Sequence, residues 1–142
     1  MNLEVQWIVG FIDGEGCFHV QINKAPALRA GHQVLAEFIV SQHCRSENIL
    51  YALKNYFETG VVRCESSKVG ETGRQYRVRD ANALRTIIVP FFEKHELKTT
   101  KRIDFKKFRR ILLMMEKNEH LTPEGVEKIR KIKNTMNLKT LR

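Results

Sequence analysis

Cysteine, proline and tryptophan are scarce in this chain: three, three and one among 142 residues. Cys17, Cys44 and Cys64 are odd in number and lie at none of the paired spacings of a thiolate metal site. Neither a disulfide framework nor a zinc module is therefore indicated. They read as reduced packing residues, which points to an intracellular compartment. The five histidines form no ligand pair either. No apolar run approaches the about 20 residues that a bilayer span requires. No leader-like segment, low-complexity block or internal repeat is visible. A membrane surface is a poor partner as well, because the sequence beyond Leu121 is poor in the bulky apolar anchors of an interfacial helix.

Positive charge is what the chain has in excess, at a formal net of +9. Residues 1–96 carry 11 basic and 11 acidic side chains, whereas residues 97–142 carry 14 basic and 5 acidic ones. The whole imbalance falls in the last third, which points to a polyanionic partner, and nucleic acid fits best. The length suits one domain with a real core. We divide it into a core over about residues 3–97 and a C-terminal helical extension over about 98–142.

The most informative stretch is Trp7-Ile8-Val9-Gly10-Phe11-Ile12-Asp13-Gly14-Glu15-Gly16. It is apolar almost all round and then ends in two carboxylates. A helix of that kind must be covered on every side, and this one is too short to cross a bilayer. Gly10 and Gly14 fall on one helix face. Each costs a helix roughly 0.5–1 kcal/mol relative to alanine, and close approach of a second helix would offset that. Gly16 is placed to end the helix at positive φ. Glu15 would then stand at the helix C-terminus, where the dipole favours cations. A divalent metal would compensate it.

Downstream, Cys17–Asn23 alternates as a strand with Phe18, Val20 and Ile22 inward and His19, Gln21 and Asn23 outward. A loop containing Pro26 and Gly31 leads to a strand over His32–Gln42. Its outer face carries Gln33, Leu35, Glu37, Ile39 and Ser41. A helix from Ser46 to about Phe57 ends at Thr59-Gly60. Strands over Val61–Ser66 and Arg74–Arg79 add Arg63, Glu65, Gln75, Arg77 and Arg79 to the outer face. Asp80 caps the next helix, and long helices over roughly Thr100–Asn118 and Pro123–Met136 follow, the latter capped by Thr122. Four strands with helices on one apolar face make an α+β layer. The open face holds the side chains that read base edges in a major groove, although an ordinary wet antiparallel face would look similar.

Ile8-Val9-Gly10-Phe11-Ile12-Asp13-Gly14-Glu15-Gly16 resembles the LAGLIDADG motif of homing endonucleases in both glycine positions, in Asp13 and in the penultimate acid. The αββαββα order extends the resemblance over most of the chain. It implies a four-stranded antiparallel, saddle-shaped sheet, helices on one face and C-terminal helices appended. It also implies an intron-encoded enzyme that cuts both strands of double-stranded DNA, hydrolysing phosphodiesters with Mg²⁺ or Mn²⁺. In such proteins the motif helix packs against its copy. A chain with one motif is then a homodimer, with Trp7, Gly10, Phe11, Asp13 and Gly14 at the interface. Carried over, Glu15 and the Gly14 carbonyl hold the metal, and Gln42 orients water. Lys101 stabilises charge near the scissile phosphate, with Lys98 as the competing choice. Asp13 is assigned mainly to helix packing and hydrogen bonding. The expected setting is an organelle (chloroplast or mitochondrion) or a prokaryotic cytoplasm. An RNA-binding maturase and a non-catalytic DNA-binding module on the same fold are the alternatives.

Overall fold

The computed structural model describes residues 1–138, so the last four residues of the expected C-terminal extension lie outside the described part. The elements in chain order are α1 (Val5–Glu15), β1 (Gly16–Lys24), β2 (His32–His43), a 3₁₀ turn (Cys44–Ser46), α2 (Glu47–Phe57), β3 (Val61–Cys64) and β4 (Gly73–Val78). Next come α3 (Ala81–Ala83), a π-helical turn (Leu84–Ile88), α4 (Val89–Lys94), α5 (Lys101–Glu116), a 3₁₀ turn (Glu119–Leu121) and α6 (Pro123–Lys133). The expected α+β order therefore holds. The strands form one four-stranded sheet in the order β1-β2-β4-β3, with β4 antiparallel to both β2 and β3. No helix among the described residues is long and apolar enough to cross a membrane.

The chain forms two compact units, Met1–Cys17 with Glu37–Thr99, and Phe18–Ala36 with the residues from Thr100 onward. In the first unit Ile8, Val9 and Ile12 of α1 are buried, as are Phe38 and Val40 of β2 and Tyr76 and Val78 of β4. α2 contributes Leu50, Leu53 and Phe57, spaced for one helix face. Phe38 is the hub: its ring meets Phe57 at 6.5 Å, Tyr76 at 6.3 Å and Phe92 at 5.8 Å. Tyr76 donates its hydroxyl to the Thr59 carbonyl at 2.8 Å, and burial pushes its pKa well above the usual phenol value. The helix through α3 and α4 widens to π geometry just before Pro90, where the Val89 N–H reaches back to Leu84. A proline cannot supply the backbone donor of a regular turn, and the wider turn absorbs that loss.

In the second unit Phe18 packs against Phe105 and Phe108 of α5 at 5.2 and 5.3 Å. Val126, Ile129 and Met136 are buried with them. Thr122 caps α6 as expected, accepting from the Gly125 N–H at 3.1 Å. Gly125 has no alternative there, because a Cβ would collide with the Glu119 carbonyl. Beyond α6, Asn137 donates its side-chain amide to the Phe18 carbonyl at 2.9 Å and its backbone N–H to Asp104 at 3.2 Å.

Local expectations fail at two glycines and two strand ends, one of them β4, which stops at Val78 and leaves Arg79 just beyond it. Gly16 has φ −83° and extended ψ, so α1 does not stop through a left-handed residue. What requires glycine there is space, since a Cβ would lie 2.6 Å from Ile12 Cγ2. The left-handed residue that ends α2 is Glu58, at φ 55°, rather than the following Thr59-Gly60 pair. β3 stops at Cys64, leaving Glu65 beyond the strand. Gly60 then turns the chain into β3 at φ 89°, where a Cβ would meet Tyr76 Cε1 at 2.7 Å and the Arg77 carbonyl at 2.8 Å. Gly60→Ala combines strain with a clash and should lower unfolding free energy by roughly 1–3 kcal/mol. Urea denaturation followed by circular dichroism measures it, and an unchanged midpoint would refute the packing described.

Candidate active site

α1 is two-sided, with the glycine face that its spacing indicated. Ile8, Val9 and Ile12 are buried in the first unit, while Trp7, Gly10, Gly14 and Glu15 are exposed and Phe11 is half-buried. Trp7 is 46% exposed, and its ring stacks on Phe11 with centroids 4.9 Å apart. A Cβ placed on Gly10 or Gly14 would find nothing within 4 Å. Neither glycine is demanded by packing among the described residues. Nor is either in a positive-φ conformation.

Asp13 points the other way. Its carboxylate accepts the Lys98 N–H at 2.8 Å, the Thr99 N–H at 3.1 Å and the Thr99 hydroxyl at 2.8 Å. The segment after α4 is thereby tied to the last turn of α1. This places Asp13 in an intrachain contact, in keeping with the hydrogen-bonding role expected for it. Glu15 ends the helix exposed, with no basic residue in the last turn of α1 to balance it. Its carboxylate thus joins the negative end of the helix dipole, and the pair presents a cation-attracting tip. Among the described residues no group of three or more histidine, cysteine, aspartate or glutamate side chains could hold a metal ion.

Gln42 lies near the end of β2, half-buried and opposite Arg74 of β4, and donates its side-chain amide to the Ser41 carbonyl at 2.9 Å. By alternation it shares the side of β2 that carries Phe38 and Val40. Lys98 belongs to the first unit and is exposed, its backbone held by Asp13. Lys101 belongs to the second unit, at the first position of α5, and is only 6% exposed. Burial of a lysine at the start of a helix was not legible from sequence. Asp104, one turn further on, is buried too.

On the open face of the sheet the register sets out cross-strand rows. Ile39 and Val61 flank Arg77, and Ser41 and Arg63 flank Gln75. Arg63 donates to the Gln75 side-chain oxygen at 3.4 Å. Burial holds the Arg77 pKa below its ordinary value, and the neighbouring Arg79 and Arg63 cations add to that, with Glu37 acting in the opposite sense. Arg63, Arg77 and Arg79 thus add positive charge to this face. Glu37 differs from expectation: instead of standing out from the face it is 2% exposed, in an ion pair of 2.6 Å with Arg79 Nε. The sequence carried no local signal for that pair, which lies just past the Phe38–Val78 end of the β2–β4 register.

Of the other expected face residues, Asn23, Gln33 and Glu65 are exposed, while His19, Gln21 and Leu35 are half-buried. In the second unit a groove of about 590 Å³ is lined by Arg110, Lys117, Lys128 and Lys131 against the single acid Glu119. This is where part of the C-terminal charge excess collects.

The chain thus combines an apolar helix that has an exposed glycine face and an acidic end with a sheet whose open face carries arginines. The family model described as LAGLIDADG endonuclease matches residues 8–112, and the chain belongs to that family. It is 34% identical over 138 residues to probable intron-encoded endonuclease 2 of Neurospora crassa, a match covering 96% of this chain and 30% of that protein. The chain thus spans less than a third of the length of that relative. The solved structure of the homing endonuclease I-TnaI superposes with a TM-score of 0.89 at 49% identity, covering 98% of this chain and 91% of that one. I-SmaMI, solved bound to cleaved DNA, superposes at 0.89 and 36% identity, covering 96% of this chain and 44% of that one.

Because Asp13 satisfies three donors at once, Asp13→Ala should cost roughly 1–3 kcal/mol of stability, and Asp13→Asn less. Chemical denaturation of both variants checks this. Equal stability of Asp13→Ala and the parent would mean that the anchor contributes nothing.

Proposed function

We propose that this chain is a subunit of a site-specific endonuclease that cuts both strands of a double-stranded DNA target by metal-dependent phosphodiester hydrolysis, with Mg²⁺ or Mn²⁺ as the ion. The observation that carries the reading is the exposed glycine face of α1, unfilled within the chain and ending in the exposed Glu15. Two apolar helices crossing at Gly10 and Gly14 would bring two acidic tips together. One carboxylate holds a hard divalent cation poorly. Two carboxylates, with phosphates from both strands, meet its preference for a few acids, phosphate oxygens and waters. Trp7 and Phe11 would supply the apolar area around the crossing. The likeness to I-TnaI, over nearly its whole chain, supports this single-motif arrangement.

The chain's own residues then have distinct tasks. Glu15 and the Gly14 carbonyl hold the ion, which when bound activates water and screens the scissile phosphate. Gln42 orients water. Lys101, with Lys98 as the competitor, relieves charge developing at the phosphate. The open face, with Arg63, Gln75, Arg77 and Arg79, reads base edges in the major groove. His19, Gln21, Asn23 and Gln33, in the second unit, also contact DNA in this reading. The lysines and arginines of α5 and α6 neutralise phosphates without regard to sequence. A two-fold dimer implies a palindromic or nearly palindromic target.

The test is cleavage by purified Glu15→Gln of a duplex that the parent protein cuts in Mg²⁺. Removing the charge while keeping the shape should leave binding intact and lower the cutting rate by at least about 100-fold. Lys101→Met and Lys98→Met in the same assay identify the lysine, since only the catalytic one should separate rate from binding. Undiminished cutting by Glu15→Gln would refute the assignment.

A further inference from the structure

Glu37 is the acid hidden within the open face of the sheet. It is 2% exposed, pairs with Arg79, and its charge reaches Arg77, which Arg79 also influences. A buried carboxylate is costly unless it is paired and hydrogen-bonded, and the Arg79 guanidinium supplies that partner at 2.6 Å. The contact is to Nε, one edge of a rigid planar fork. The Arg79 side chain remains 41% exposed, and its two terminal amino groups make no hydrogen bond within the described chain. With one edge fixed by Glu37, the plane of the guanidinium is set and the pair of terminal donors is left for an external acceptor.

We propose that Glu37 is a positioning residue for specificity: it locks Arg79 so that its terminal amino groups meet O6 and N7 of a guanine at one position in each half of the DNA target. That pairing is the bidentate match between arginine and a base edge. The inference rests on the sheet being the DNA-reading face. It differs from a direct base contact by Glu37, which burial denies it. It also predicts effects of opposite sign. An acid among cations weakens attraction to phosphate, so neutralising Glu37 should strengthen binding to arbitrary sequences while erasing one base preference.

The experiment is enrichment from a library of DNA duplexes with a randomised centre, using the full chain and its Glu37→Gln, Arg79→Ala and doubly substituted forms. Thermal unfolding of each variant accompanies it. The parent should enrich a two-fold symmetric site. Arg79→Ala should lose guanine preference at one position per half-site by about tenfold or more. Glu37→Gln should lose the same position, leave the others intact, and bind a scrambled duplex as tightly as the parent or more tightly. The double variant should add nothing to the single ones. Glu37→Met, which fills similar volume without a polar group, gives the same readout should Glu37→Gln destabilise the fold.

Retention of the preference in folded Glu37→Gln or Glu37→Met, while Arg79→Ala loses it, would overturn the proposal. So would a uniform loss at all positions. Failure of the parent itself to enrich any sequence would instead overturn the reading of the sheet on which the proposal stands.

Discussion

The burial of one side of α1 sets the frame for everything else. Ile8, Val9 and Ile12 are each at most 1% exposed, and burying each such side chain contributes about 1.5–3 kcal/mol. That packing fixes how the helix is rotated, and the rotation leaves Gly10 and Gly14 facing outward. Asp13 then fixes the helix end by gripping the backbone at Lys98 and Thr99. Glu15, two residues beyond Asp13, is therefore presented at a defined place rather than on a loose tip. The chemistry proposed for Glu15 depends on this rigidity, because an ion shared between two carboxylates tolerates little error in their separation.

The sheet works by a different constraint. Antiparallel pairing places Arg77 between Ile39 and Val61, and Gln75 between Ser41 and Arg63, so cations and amides recur along one face. Within it Arg79 and Arg63 act on Arg77 as like charges, second to burial in lowering its pKa. The buried Glu37 relieves part of that repulsion from within. A polyanion would relieve the remainder from outside. The same concentration of charge that would steer DNA is thus a local cost in the free chain, held in place by the aromatic packing of Phe38, Tyr76, Phe57 and Phe92.

Much of this was legible in the sequence because alternation and helical spacing are strong signals. Phe18, Val20, Val34, Ala36, Phe38 and Val40 are buried on the side that their alternation indicated. Thr122 and Asp80 cap as their side-chain chemistry requires. The motif around Glu15 was readable too, since an all-apolar helix ending in acids has few explanations. The misses share one cause: they depend on neighbours distant in sequence. Gly16 was given a left-handed φ from its type alone, whereas the actual constraint is the closeness of Ile12. Glu37 looked like one more outward polar residue, because pairing with a residue 42 positions away leaves no local trace. The π turn before Pro90 and the burial of Lys101 are likewise products of tertiary context.

The central claim is that the bare face of α1 is completed by a second copy of this chain. Sedimentation equilibrium at micromolar concentration tests it most directly, on the parent chain of 16.6 kDa and on Gly10→Leu. Leucine favours the helix over glycine, and a Cβ at Gly10 finds nothing within 4 Å among the described residues, so the variant's monomer should be at least as stable as the parent's. The account predicts a dimer for the parent and a folded monomer for the variant. A parent chain that stays monomeric with and without duplex DNA, or a variant that dimerises as well as the parent, would contradict it.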